Sequence, residues 1–125
     1  MQTLLLNLSV GQDARVMVSP AVLGNGGGIA VLPLCRKRPH RGDLVECSKA
    51  IVEALQQCAA CFDIGGEAAA RDLVVTQLQP VGCALGEQLF DPWLIELLLE
   101  PRKVRQVVFW IDPLLNGVPL ECAFL

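Results

Sequence analysis

The residues best suited to chemistry are two cysteines three positions apart, Cys58 and Cys61. Such a pair can exchange with a disulfide or supply two zinc ligands. A redox pair is activated at a helix N-terminus, whereas this pair falls late in an amphipathic segment, with Cys58 on its apolar stripe. A zinc site would need a second ligand pair, and the chain has no other Cys-x-x-Cys and a single histidine. We therefore interpret the pair as core packing and assign no metal or cofactor, with a zinc-dependent regulator as an alternative.

Two further sets of residues could act as acids, bases or nucleophiles. His40 lies between cations in a connector, and a dyad with Cys83 or Cys122 depends on distance in space, so we assign none of them a catalytic role. Glu96 and Glu100 share one face of a predicted helix, four residues apart, and we interpret them as surface charge. The sequence thus predicts no catalytic residue in this chain.

The hydrophobic run from Val107 to Asp112 is predicted to be a β-strand. Every position before the aspartate is apolar, which is typical of a central strand in a parallel sheet covered on both faces. Asp112 stands at the carboxyl end of this strand, where α/β folds place ligand sites. Its side chain either caps the following turn or shapes a cleft that later residues complete. A central strand needs neighbours on both sides, so we expect this chain to be the front portion of a larger domain.

The elements that position these residues are predicted to begin with three strands. Residues 3–10 and 15–18 form a hairpin, and residues 29–34 form a third apolar segment. Between them lies a glycine-rich run, residues 24–28, which lacks the third glycine of a dinucleotide fingerprint and precedes a strand. We interpret this run as a hairpin loop. Pro20 is expected to interrupt its strand, because proline has no N–H for the ladder.

Three helices are predicted between residues 43 and 100. The first begins at Asp43 and ends at Gly65-Gly66, and Pro80 is expected to stop the second. The helical segment after Pro80 is kinked or divided at Asp91, whose side chain is expected to cap the restart. Spacings of three and four place one set of apolar residues on the inner face of the first helix. They are Leu44, Cys47, Ile51, Leu55, Cys58 and Phe62.

Composition sets the broad class of protein. The 125 residues fit one domain, and 53% are hydrophobic while 18% are charged, against roughly 25% charged in an average soluble domain. This excess favours a buried, partner-covered or truncated unit. A net charge of −3 and a pI near 5.0 argue against nucleic acid or an anionic membrane as a partner. The longest charge-free run contains prolines and glycines, and no secretion signal is recognisable. Six cysteines without such a signal fit free thiols in the cytoplasm.

The C-terminal third of the chain, roughly residues 82–125, combines five features. They are a Leu-Phe-Asp helix, a basic connector, a hydrophobic strand ending in Asp, a spaced Leu and a Pro-x-Glu, at Leu89-Phe90-Asp91, Arg102-Lys103, Val107 to Asp112, Leu115 and Pro119-Leu120-Glu121. Together they resemble the first half of a CHAT domain, a family with a caspase-like fold. Pro113 stands where the family often has glycine.

This resemblance implies an α/β fold in which residues 1–125 form one incomplete caspase-like sandwich. The expected mixed sheet has N-terminal antiparallel hairpin strands (residues 1–35), helices packed on it (43–100) and a central parallel core strand (107–112). The resemblance also implies that the catalytic histidine and cysteine of a cysteine endopeptidase lie beyond this chain, which would contribute scaffold and be inactive alone.

The alternative function is a non-catalytic protein–protein interaction module whose exposed sheet edge pairs with another chain. In both cases the expected partner is a protein or peptide. It is either the remainder of the same domain or a second copy that associates through the sheet edge. Neither nucleic acid nor a membrane is expected as a partner.

Overall fold

The computed structural model describes residues 2–24, 26–100 and 102–124. The fold is α/β, as predicted, and the order of elements is the expected three strands, helices and one strand. The strands are β1 (Gln2–Val10), β2 (Val16–Leu23), β3 (Ile29–Val31) and β4 (Val104–Ile111). The helices are α1 (Arg41–Leu73), α2 (Gln79–Leu89) and α3 (Pro92–Leu98). A π-helical turn (Val74–Leu78) precedes α2, and two 3-10 turns (Pro113–Leu115 and Leu120–Phe124) follow β4.

The chain divides into two compact units, each assembled from two separate stretches of sequence. The first unit comprises residues 1–41 and 87–116, and it contains the whole sheet and α3. The second comprises residues 42–86 and 117–125, and it contains nearly all of α1 and most of α2.

The four strands form one mixed sheet in the order β3-β2-β1-β4. β1 and β2 form the predicted antiparallel hairpin, in register from Thr3 opposite Leu23 to Val10 opposite Val16. The strands alternate, and one face of the sheet is buried. Its buried side chains include Leu4, Leu6, Leu8, Val16, Val18 and Pro20.

Pro20 does not interrupt β2, contrary to the sequence prediction, although β2 lies inside the sheet. The Pro20 carbonyl accepts a hydrogen bond from the Leu32 amide at 3.0 Å, so its backbone faces the β3 side. On that side the paired stretch of β2 begins only at Ala21, opposite Val31. The missing N–H of Pro20 therefore falls at the end of the β3 ladder, where it removes one bond, the reciprocal bond to the Leu32 carbonyl.

β4 is the predicted hydrophobic strand, and it pairs in parallel with β1, from Gln2 opposite Val104 to Leu8 opposite Ile111. Its position differs from the prediction, because β4 lies at the edge of the sheet formed by the described residues and has β1 as its one neighbour. Its residues are exposed or half-buried throughout. An apolar run therefore predicted the strand correctly but did not place it at the centre of the sheet.

The helix boundaries depart from the sequence prediction at the start of α1 and at Pro80, and they agree with it at Gly66. α1 begins at Arg41, so Asp43 lies in the first turn and does not cap it. Gly66 has φ 80° and ψ −169°, which breaks the helical path between two helical stretches at the predicted glycines. Pro80 is the second residue of α2 and does not end a helix, because the π-helical turn of residues 74–78 continues directly into α2. The predicted stop at Pro101 lies outside the described residues, as does Asn25 of the glycine-rich run.

The buried stripe of α1 is narrower than its apolar spacing predicts. Leu55 and Phe62, predicted to face inward, are exposed. Position 54 follows 51 on a 3.6-residue period as well as position 55 does, and the small Ala54 occupies the buried place. The buried residues are Leu44, Ser48, Ile51, Ala54 and Cys58.

Candidate interaction site at the open edge of β4

In the part of the chain that the structure describes, β4 pairs with β1 on one side, and no strand pairs with it on the other side. The Asp112 amide donates to the Leu8 carbonyl at 2.9 Å, at the end of the β1–β4 ladder. In a parallel ladder, alternate residues direct their N–H and C=O groups to opposite neighbours. The backbone groups of Val108 and Trp110 therefore face β1, and those of Val107 and Ile111 face the open side.

The side chains next to this edge are apolar and accessible to solvent. Trp110 is 80% exposed and Val108 is 40% exposed. Both point to the face opposite the buried Leu4, Leu6 and Leu8, because Val108 pairs with Leu5 and Trp110 pairs with Asn7. The row through Val108 and Leu5 continues across the sheet to Ala21 and Val31. An apolar, open face thus adjoins the unpaired edge of β4.

The two edges of the sheet differ in how they are protected. β3 has three residues, which is a short edge strand. β4 has eight residues, includes no proline, and carries its one charged residue, Arg105, at a register shift near its start, so the regular edge runs from Gln106 to Ile111. Natural sheets usually protect a long edge with charge, proline, a bulge or a covering element. The β4 edge has the length and composition of a strand that pairs on both sides.

Asp112 fixes the carboxyl end of β4, and its side chain caps the following turn. One carboxylate oxygen accepts the Leu114 amide at 3.0 Å, and the other accepts the Val10 amide at 3.2 Å. The first bond caps the 3-10 turn that starts at Pro113, and the second holds the end of β1. Of the two interpretations made from the sequence, turn capping is confirmed.

Asp91 has a role that the sequence did not predict. It precedes α3 as expected, but its side chain makes no capping bond to the helix. Its two oxygens instead accept the Arg36 amide at 2.8 Å and the Lys37 amide at 3.1 Å. Asp91 is 6% exposed, and these bonds, that from the Arg36 amide above all, lower the pKa of its carboxyl. No local signal reveals this role, because the partners lie more than 50 positions away along the chain.

The cysteines singled out in the sequence are free thiols. Cys58 is buried in the α1 stripe, as core packing requires, and Cys61 is half-buried. Burial raises the pKa of the Cys35, Cys47 and Cys122 thiols. Among the described residues, no group of three or more cysteine, histidine or acidic side chains is placed to hold a metal ion.

The structure also places the remaining candidates for acid–base chemistry. Glu96 and Glu100 are exposed, and Glu100 pairs with the exposed Lys103 at 3.2 Å, which confirms surface charge. His40 is exposed in the first unit, where its backbone forms an isolated bridge with Arg15. Cys83 and Cys122 belong to the second unit.

No protein-family model, curated protein or solved structure matches this chain. The resemblance to CHAT domains therefore remains a prediction from the sequence. Within the described residues, none of the helices combines the length and the apolar character needed to span a bilayer.

Proposed function

We propose that this chain is a protein-interaction scaffold whose sheet is extended at the β4 edge by a strand from another polypeptide. The supporting observation is an eight-residue apolar strand with one paired side and an 80% exposed Trp110 beside the open side. An added strand would pair the open backbone groups of Val107 and Ile111 and cover part of the apolar face.

The CHAT resemblance gives this proposal a particular form. In that form the added strand comes from the rest of a caspase-like domain, which carries the catalytic histidine and cysteine of a cysteine endopeptidase. The parallel β4 strand, with Asp112 at its carboxyl end, supports this form. In the alternative form the module is non-catalytic, and a second copy of the chain supplies the strand by antiparallel pairing of the two β4 edges. We place both forms in the cytoplasm, since all six cysteines are free thiols.

The experiment that tests the proposal compares the wild-type chain with Val108→Lys by light scattering during gel filtration. With no other partner present, the wild type should show a concentration-dependent mass above the 13.5 kDa of one chain, because a second copy is the available strand. Val108→Lys should elute as a single chain, since it places a charge on the exposed face beside the edge.

The matched control is Val31→Lys, which makes the same substitution on the opposite edge strand, where Val31 is 83% exposed. This variant should associate as the wild type does. A wild-type chain that remains monomeric while the Val107 and Ile111 amides resist hydrogen exchange would contradict the proposal, because the β4 edge would then be closed within one chain. Equal loss of association in both lysine variants would also contradict it.

A further inference from the structure

A groove of about 510 Å³ opens on the first unit, between the segment of residues 33–37 and the start of α3. The groove is shallow and open to solvent, so a bound segment would lie along it and stay partly exposed. The apolar part of its lining comes from Pro33, Leu34, Pro92 and Trp93. None of these residues belongs to β4, so this groove is a surface separate from the proposed strand-pairing edge.

Two cations line the same groove. Arg36 is exposed, and its guanidinium has no ion-pair partner among the described residues. Lys37 is half-buried, and its ammonium donates to the Glu87 carbonyl, which holds that charge in place.

Asp91 also lines the groove, but its charge is directed to the protein backbone. Each of its oxygens accepts one backbone amide, from Arg36 or Lys37, the Trp93 side chain donates a further hydrogen bond to it, and the residue is 6% exposed. The carboxylate therefore fixes the segment that carries the two cations and offers little surface to a ligand. Two cations against this one carboxylate leave the lining with a net charge of +1.

The mixed lining favours one class of ligand. A nucleic acid requires several cations along a phosphate backbone, and this chain has a net charge of −3 with two cations in the groove. An acidic peptide matches the lining better, because a carboxylate complements Arg36 while an apolar neighbour complements the proline, leucine and tryptophan surface.

We propose that this groove binds an acidic peptide segment in which a glutamate or aspartate carboxylate pairs with Arg36 and an adjacent leucine or proline packs on Trp93 and Leu34. Lys37 adds a second positive charge at the side of the groove. The binding should weaken as salt is raised, since Arg36 is exposed to solvent.

The experiment uses Trp93 as its own reporter. In the full-length Trp110→Phe variant, Trp93 is the one remaining tryptophan. The probe is a capped synthetic peptide with the core Leu-Glu-Pro-Leu, compared with the same peptide carrying glutamine in place of glutamate. The glutamate peptide should produce a saturable change in Trp93 fluorescence, and the glutamine peptide should bind at least about tenfold more weakly.

Arg36→Glu in the same background should weaken binding by at least about tenfold, whereas Arg102→Glu should change it less than about twofold. Arg102 is exposed and outside the groove, so it matches the change in net charge. Circular dichroism checks the fold, and Arg36→Gln replaces Arg36→Glu if the charge reversal unfolds the chain. The proposal is overturned if the glutamate peptide gives no saturable change, if both arginine positions respond equally, or if a single-stranded oligouridylate displaces the peptide and binds more tightly.

Discussion

The carboxylate of Asp91 joins two parts of the first unit that are far apart in sequence. It holds the Arg36 and Lys37 amides, which lie 55 and 54 positions earlier, while Leu94 and Ile95 donate to its backbone carbonyl. Each oxygen has one amide donor, so removing the charge weakens both bonds at once. Asp91 therefore positions the connector that leads from β3 to α1.

We expect Asp91→Asn to lower the free energy of unfolding at pH 7 by about 1–3 kcal/mol. Asparagine keeps the size but offers one acceptor oxygen, and its NH2 group would meet a backbone N–H donor. Urea unfolding followed by circular dichroism measures the change. Asp63→Asn is the control, because Asp63 is exposed in α1, and it should alter stability by less than about 0.5 kcal/mol.

The pH dependence of this difference follows from the lowered pKa of Asp91. A carboxyl whose pKa is lower in the folded than in the unfolded state contributes stability above its ordinary pKa of about 4, and that contribution is lost as the pH falls through the folded value. The stability difference between wild type and Asp91→Asn should therefore shrink below about pH 4. A difference that stays constant down to pH 2 would show that the charge of Asp91 is not what binds the amides.

At the scale of elements, β4 shows why the sequence predicts a strand correctly but does not predict its position in the sheet. Five consecutive apolar residues before Asp112 predict an extended, largely apolar element, and β4 is that element. The same run is compatible with a central strand that has two neighbours and with an edge strand that has one. Local sequence does not contain the pairing partner, so it cannot distinguish the two positions.

Other elements show the same division between local and distant causes. The alternation of Leu4, Leu6 and Leu8 is local, and it predicts both the strand and its buried face correctly. The helix break near Gly66 is also local, because it depends on the backbone freedom of glycine. The continuity of β2 through Pro20 and the bonds of Asp91 depend on residues that approach only in the folded chain. The strand-pairing edge and the peptide groove both contain such distant contacts, so the sequence predicted the apolar strand but neither its position at the edge nor the groove.

The two hydrophobic faces of the sheet differ in exposure, so substitutions on them should differ in their effect on the free energy of unfolding. In a Val108→Lys background that prevents edge pairing, we expect Trp110→Ser to change the free energy of unfolding by less than about 0.5 kcal/mol, because Trp110 is 80% exposed. Leu6→Ala in the same background should cost about 2–5 kcal/mol, since Leu6 lies in the buried face. Urea unfolding compares the two variants. Equal costs would mean that Trp110 is covered within a single chain, which would remove the main support for the open edge.

At the scale of the whole molecule, charge is distributed unevenly between the two units. The first unit has eight basic and six acidic residues, whereas the second has two basic and seven acidic residues. The overall charge of −3 is therefore the sum of a net positive first unit and a net negative second unit. The first unit contains both the β4 edge and the cationic groove. The net negative charge of the chain opposes non-specific association with acidic molecules, whereas the positive charge of the first unit attracts an acidic partner locally. Together they favour selective binding of an acidic partner.

Catalysis is a property of the whole molecule as well, and we expect residues 1–125 to hydrolyse no peptide. A cysteine nucleophile requires a thiol with a lowered pKa next to a base. Burial instead raises the pKa of the Cys35, Cys47 and Cys122 thiols, so less thiolate is present at neutral pH. The measurement is cleavage of fluorescent casein between pH 6 and 9, with Cys122→Ala and His40→Ala as parallel samples. All three should match the buffer blank, and turnover that either substitution abolishes would place a catalytic site within this chain.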